Sequence, residues 1–137
     1  MKKILVILVF FASISCSNHK MYYNVDKQEL ISCNKLSFYN LSIDGVNDDI
    51  HIYWRDYINT PEVLNLNNIS DGYKKTSGGI KRMRPFRLEP NSEYTISKSG
   101  LGKMTHMIKV WTDTTGKVFK TTNPNCDCDD GVIQNNI

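Results

Sequence analysis

The sequence predicts an all-β domain built as a two-sheet sandwich. From Leu30 onward the chain carries short runs rich in β-branched and aromatic residues, which is the composition that strands favour. Asn, Asp, Gly and Pro separate these runs, as turns do in all-β domains. No segment has the apolar stripe of a long amphipathic helix. About seven short strands favour two packed sheets, and a small closed β-barrel is the alternative.

Candidate strands in the first half of the domain are residues 29–33, 35–43 and 50–57. The last of these alternates most clearly, with Ile50, Ile52 and Trp54 on one face and more polar side chains on the other. Asp, Asn and Gly residues before it supply turn chemistry. Residues 61–66 are a further candidate, either as a strand or as a helical turn after Pro61.

Candidate strands in the second half are residues 81–88, 93–98, 105–112 and 117–121. Pro85 interrupts the first of these and cannot donate a hydrogen bond to a ladder, so we expect that segment at a sheet edge. Gly116 suits the left-handed position of a bulged hairpin turn between the last two strands. Residues 77–79, Ser-Gly-Gly, are interpreted as a flexible loop.

Composition and charge exclude several classes of protein. The chain has 137 residues, of which 40% are hydrophobic and 23% charged, as is ordinary for one globular domain. A mean hydropathy of −0.39 argues against an integral membrane protein. The formal net charge of +3 falls to +1 without Lys2 and Lys3 of the N-terminal segment. A charge so close to neutral does not favour nucleic acid as a partner.

The N-terminus has the layout of a secretory signal peptide. Lys2 and Lys3 precede an apolar run over residues 4–12, and Ser13 and Ser15 follow it. We therefore predict an export signal over residues 1–15. At about 1.5 Å per residue, the apolar run is too short to cross about 30 Å of hydrocarbon.

Ser13-Ile14-Ser15-Cys16 resembles the lipobox of bacterial lipoproteins, in which a small residue precedes a cysteine that receives diacylglycerol. Ser15 and Cys16 match that pattern, whereas Ser13 stands where the family usually has Leu. The resemblance implies lipidation at Cys16 and a membrane-anchored location in the bacterial cell envelope. The same residues also fit ordinary small-x-small cleavage, which would give a soluble periplasmic or secreted protein.

Three parts are predicted for the mature chain. Residues 16–28 are polar and aperiodic, as in a tether between membrane and domain. The β domain follows over residues 29–124. Residues 125–137 form an acidic tail that contains two cysteines.

The cysteines beyond Cys16 lie near the two ends of the predicted domain. Export to an oxidising compartment favours disulfides, and the first and last strands of a sandwich are often neighbours. We therefore expect Cys33 to pair with Cys126 or Cys128. No nearby histidine completes a ligand set with these cysteines, so no metal is predicted.

Leu88, Pro90, Tyr94 and Ile96 resemble the corner between strands E and F of fibronectin type III domains. In that family a Leu-x-Pro turn is followed by a tyrosine that pins the corner and then by alternating apolar residues. The resemblance implies an immunoglobulin-like sandwich. Two further candidate strands follow Ile96, where that family usually has one.

One local concentration of charge lies between residues 74 and 87, where no acidic residue occurs. Its basic residues are Lys74, Lys75, Lys81, Arg82, Arg84 and Arg87. We predict that this cluster binds an anionic envelope component, such as a lipid phosphate or a surface glycan, or an acidic protein. The alternative is a solvated loop and an edge strand whose charges prevent aggregation.

No catalytic or cofactor motif occurs in the sequence. It lacks the nucleophile elbow, the phosphate-binding loop, the dinucleotide fingerprint and the paired-histidine zinc motif. The preferred hypothesis is therefore a non-enzymatic envelope lipoprotein with one binding or assembly domain and no cofactor. Two alternatives remain: an inhibitor or immunity protein that caps a toxic enzyme, and a small periplasmic hydrolase that uses His51 or His106.

Overall fold

A computed structural model shows a sandwich of two antiparallel sheets. It describes residues 20–33, 38–56, 59–100 and 103–126, and within these ranges no helix occurs. The strands are β1 (Met21–Asn24), β2 (Glu29–Ser32), β3 (Asn40–Asp44), β4 (Asp49–Trp54), β5 (Val63–Leu64), β6 (Tyr73–Ser77), β7 (Ile80–Lys81), β8 (Glu93–Gly100), β9 (Lys103–Thr112) and β10 (Val118–Thr121).

The smaller sheet has the order β1-β2-β5, and the larger sheet has the order β10-β9-β8-β3-β4-β6-β7. The two sheets share one apolar core. They do not close into a barrel. The predicted all-β sandwich is therefore confirmed, and the closed-barrel alternative is wrong.

Alternate residues of the strands supply the core. In β4, Ile50 and Ile52 are buried while His51 and Tyr53, which point to the opposite face, are half-buried, as the sequence pattern predicts. Apolar residues from the connecting loops fill the remaining space between the sheets. The buried apolar side chains are Met21, Tyr23, Leu30, Phe38, Leu41, Ile43, Ile50, Ile52, Leu64, Leu66, Ile69, Tyr73, Phe86, Leu88, Tyr94, Ile96, Ile108, Val110 and Val118.

The first strand lies where the sequence predicts a tether. Met21 and Tyr23 are 0% and 1% exposed, and β1 pairs with β2 along its whole length. The prediction of a polar spacer over residues 16–28 is therefore wrong from Met21 onward. Two apolar residues at a spacing of two are enough to bury one face of a short strand, even in a segment that is polar on average.

Gln28 joins the hairpin of β1 and β2 to the larger sheet. Its side-chain amide donates to the carbonyls of Val25 and Val118 at 2.6 and 2.8 Å. Its Oε1 accepts the Val118 N–H at 2.9 Å. The side chain thus pairs with Val118 in the way that a neighbouring strand would. Gln28 adopts φ 54°, a left-handed conformation that is uncommon outside glycine.

A disulfide between Cys33 and Cys126 joins the two ends of the sandwich, with the two Cα atoms 5.5 Å apart. The chain after β10 runs beside β1, and the Tyr23 N–H donates to the Asn123 carbonyl there at 3.0 Å. One of the two predicted pairings is therefore confirmed. Cys16, Cys128 and the acidic tail from residue 127 lie outside the described residues.

Tyr94, near the start of β8, pins the corner that leads into that strand. Its hydroxyl accepts the Glu89 N–H at 2.7 Å, and its ring is buried against Phe86 with centroids 6.2 Å apart. Gly45 permits this packing, because a Cβ there would lie 2.5 Å from the Tyr94 ring.

Two hairpins depend on glycine. Gly116, at φ 85°, ends the turn between β9 and β10, and a bulge follows it in β10, so the predicted bulged hairpin is confirmed. Gly78 and Gly79, at φ 59° and 80°, join β6 to β7. Two consecutive positive φ values define a tight two-residue turn, so the segment predicted as a loop over residues 77–79 forms a hairpin turn that joins two strands.

Candidate cationic cleft

A cavity of about 880 Å³ opens beside β6 and β7, at one edge of the larger sheet. We call it the cationic cleft. All six basic residues of the predicted cluster line it, together with Arg55. Asp71 is the one acidic residue of its described lining.

Strand pairing brings these residues together. Tyr73 and Lys74 of β6 pair with Trp54 and Tyr53 of β4, so Arg55, which follows β4, also reaches the cleft. The tight Gly78-Gly79 turn then reverses the chain. β7 and the loop after it therefore also line the cleft, together with residues of β6.

Arg82 holds that loop in place. Its two Nη atoms donate to the Asp48 carboxylate at 2.8 and 2.6 Å. Its Nε donates to the Arg84 carbonyl at 3.0 Å, and Nη1 donates to Ser77 Oγ at 3.0 Å. The guanidinium carbon lies 5.4 Å from the centroid of the Phe86 ring. One side chain thus ties the loop to the β3–β4 turn.

The Arg82 side chain is only 5% exposed and that of Asp48 is 17% exposed. Hydrogen bonding by Arg82 lowers the pKa of Asp48 from its ordinary value, and the positive charge adds to this effect. The same contacts raise the pKa of Arg82. Sequence reasoning assigned Arg82 to ligand binding. Its charge is instead committed within the fold, which makes it a positioning residue.

Lys75 also has an acidic partner, since its Nζ lies 3.5 Å from Asp71 Oδ1. Asp71 is fully exposed, and such a surface pair contributes little to stability. Lys74 Nζ lies 5.4 Å from the centroid of the Tyr53 ring. The remaining cations of the cleft are Arg55, Lys81, Arg84 and Arg87. Among the described residues, these four cations form no ion pair, and neither does Lys74.

Tyr73, which lines the cleft, is held by contacts on several sides. Tyr73 is buried, donates its hydroxyl to the Phe38 carbonyl at 2.7 Å, and packs edge-on against Trp54 at 4.9 Å. Burial raises the pKa of the Tyr73 hydroxyl well above its ordinary value. Gly72 permits the close packing of Trp54, because a Cβ there would lie 2.3 Å from that ring.

Sequence reasoning missed Arg55, because the residue lies outside the charged run in the chain. Its signal was present in β4, where strand alternation predicts that Arg55 shares the face of His51 and Tyr53. The sequence offered no signal for the partnership of Arg82 with Asp48. Those residues are separated by 34 positions.

The two candidate histidines do not meet. His51 lies on β4 and His106 on β9, with β3 and β8 between those strands. Three strand spacings correspond to about 14 Å. His51 Nδ1 shares a hydrogen bond of 2.9 Å with Ser42 Oγ on the outer face, whereas His106 shares the face of buried Ile108. The structure therefore does not join them into one site.

Two features of the described ranges concern metal binding and membrane-spanning helices. No group of three or more His, Cys, Asp or Glu side chains there is arranged to hold a metal ion. No helix in that part of the chain has the length and apolarity to cross a bilayer.

The chain matches no protein-family model, no curated protein and no solved structure at a significant level.

Proposed function

We infer that this protein is an exported lipoprotein of the bacterial cell envelope, anchored through Cys16, whose single sandwich domain binds an anionic partner without catalysing a reaction. The observation that carries the binding role is the convergence of the predicted basic cluster and Arg55 on one cavity. The anchor and the envelope location rest on the sequence of residues 1–16.

The charge balance of the cleft supports an anionic ligand. Among the described residues, seven basic side chains and one acidic side chain line it. Two of the basic residues, Lys75 and Arg82, have acidic partners. Five remain on a mature chain whose net charge is only +1. Such a local excess attracts anions and raises their rate of association.

Titration with sodium tripolyphosphate, followed by NMR, tests the binding role. The probe is a small multivalent anion, and the protein is the Cys16→Ser chain. We expect shifts at Lys81, Arg84 and Arg87. The double variant Arg84→Gln/Arg87→Gln should weaken binding by about tenfold, because two charge-assisted contacts are lost.

The matched control is Lys27→Gln/Lys117→Gln, which removes the same charge from two exposed turns of the domain. It should leave the affinity for tripolyphosphate within about twofold of the parent, since distant surface charges are largely screened. Equal weakening by both double variants would contradict a specific role for the cleft.

Membrane fractionation tests the anchor. The Cys16→Ser chain should move from the detergent-dependent membrane fraction to the soluble fraction, because diacylation is what holds a soluble domain stably at a bilayer. Ser17→Ala, which keeps the cysteine, serves as the control. Persistence of the Cys16→Ser chain in the membrane fraction would contradict lipidation at this residue.

A further inference from the structure

We propose that the partner of the cationic cleft is the surface of an anionic phospholipid bilayer, into which Ile80 and Met83 insert. The inference rests on the proposed function, because it assigns a partner to the same cleft. Both side chains belong to the segment that forms β7 and the loop after it. They are 74% and 86% exposed, among the most exposed large apolar residues in the described chain.

The two apolar residues lie on and directly after β7, the strand at one edge of the larger sheet. They are three positions apart, so their Cα atoms lie within about 11 Å of each other. Neighbouring Gly78 and Gly79 form a turn where an added Cβ would meet no atom within 4 Å. The turn beside the two apolar residues is therefore open to its immediate surroundings.

Cations flank the apolar residues. Lys81 lies between Ile80 and Met83, and Arg84 follows directly. Both are exposed and without an ion pair in the described chain. Binding to a membrane surface becomes stronger with the apolar area that is buried and with the electrostatic attraction to anionic lipids. Each Lys or Arg near an anionic leaflet adds about 1 kcal/mol of attraction.

Acidic residues near the loop do not cancel this charge. Asp48 is held by Arg82, and Asp71 lies beside Lys75. Asp49 also acts electrostatically on Arg82. Lys81, Arg84, Arg87, Lys74 and Arg55 thus outnumber the acidic groups that face the same region.

Protection of a sheet edge does not explain the apolar residues. β7 is an edge strand of two residues, and charged side chains at such an edge do discourage aggregation. Exposed Ile80 and Met83 have the opposite effect, since apolar groups at a sheet edge promote association. A surface that buries them accounts for the basic and the apolar residues together.

The short distance in sequence between Cys16 and the start of the fold also favours a membrane as the partner of the cleft. Buried Lys20 lies four positions after Cys16, and four residues span at most about 14 Å. A lipid on Cys16 would therefore hold the domain close to the bilayer. The cleft, at the edge of the larger sheet opposite β10, would then supply a second point of attachment.

Vesicle binding by the Cys16→Ser chain, which lacks the lipid, tests the inference. We expect co-sedimentation with vesicles of phosphatidylglycerol and phosphatidylethanolamine in equal parts, and none with phosphatidylcholine alone. Ile80→Ser/Met83→Ser should weaken vesicle binding by at least about tenfold, because it removes the inserted apolar area. The affinity of that variant for tripolyphosphate should not change.

The control variant is Val46→Ser/Phe119→Ser, which removes two other exposed apolar side chains and should bind vesicles as the parent does. Circular dichroism checks that every variant is folded. In a second readout, a spin label on the lipid acyl chains should broaden the methyl signals of Ile80 and Met83 and leave that of Val46 sharp.

Three outcomes would overturn the inference. Tripolyphosphate binding without vesicle binding would exclude the bilayer and retain an anionic partner of another class. Undiminished vesicle binding by Ile80→Ser/Met83→Ser would show that these residues do not insert. If the Cys16→Ser chain bound neither tripolyphosphate nor vesicles, the proposed function would be overturned as well.

Discussion

At the scale of single residues, the most informative side chain is Arg82. In the sequence it is one of six equivalent cations. In the fold it is 5% exposed and donates to Asp48, Ser77 and the backbone of its own loop. Sequence position alone cannot distinguish a cation that binds a ligand from one that positions its neighbours. The difference depends on a carboxylate 34 positions away.

Removal of Asp48 should destabilise the domain in a pH-dependent way. Asp48→Asn leaves the Arg82 guanidinium buried without its counter-charge, which we expect to lower the free energy of unfolding by about 3 kcal/mol at pH 7. The folded-state pKa of Asp48 is below its ordinary value of 3.8. The stabilisation is therefore present above that pH and is lost as the pH falls through the folded-state pKa.

Urea unfolding of Asp48→Asn and the parent, measured between pH 7 and pH 2, checks this expectation. The difference between the two proteins should shrink as the pH falls below about 3.8. Asp49→Asn, at an adjacent exposed carboxylate, is the control and should show a small difference throughout. A constant difference across the pH range would contradict the ion pair as the cause.

At the scale of elements, strands with strict alternation were predictable and short ones were not. β4 alternates over its whole length and lies where its pattern places it. β6 (Tyr73–Ser77) was missed, because one buried tyrosine precedes two lysines and two hydroxyl residues. Its position is determined by pairing with β4 and by the two-glycine turn, not by its own pattern.

Tyr94 pins the corner before β8, and Tyr94→Phe tests how much this contact stabilises the domain. The variant leaves the Glu89 N–H without its acceptor in a half-buried corner. We expect a loss of about 1–2 kcal/mol in the free energy of unfolding. Tyr22→Phe, on the less buried face of β1, should change it by less than about 0.5 kcal/mol. Equal effects of the two variants would contradict a special role for the corner.

At the scale of the whole molecule, the two ends of the chain close the sandwich. The Cys33–Cys126 disulfide spans 93 positions, and Gln28 pairs with Val118 across 90. The segment after β10 also bonds to β1 through Asn123. These contacts tie the three-stranded sheet to the edge of the larger sheet on which β10 lies.

Loss of the disulfide should lower the stability of the whole domain. Cys33→Ala/Cys126→Ala should reduce the free energy of unfolding by about 3 kcal/mol, because the unfolded chain regains the freedom of a long loop. Cys128→Ala should retain the parent stability and the linked peptide in non-reducing mass spectrometry. A peptide that links Cys33 to Cys128 in the parent would contradict the pairing.

The sequence by itself determined the fold class, the bulged hairpin at Gly116 and the pairing of Cys33 with the C-terminal end. The first two features depend on local patterns, namely alternation and turn glycines. The third depends on the placement of the cysteines near the two ends of the domain, which are neighbours in a sandwich. Tertiary structure decided that Met21 and Tyr23 belong to the core, that Arg55 joins the cleft and that Arg82 is held by Asp48. Such outcomes depend on which distant segments become neighbours when the two sheets pack, and that information is absent from the order of residues within any one segment.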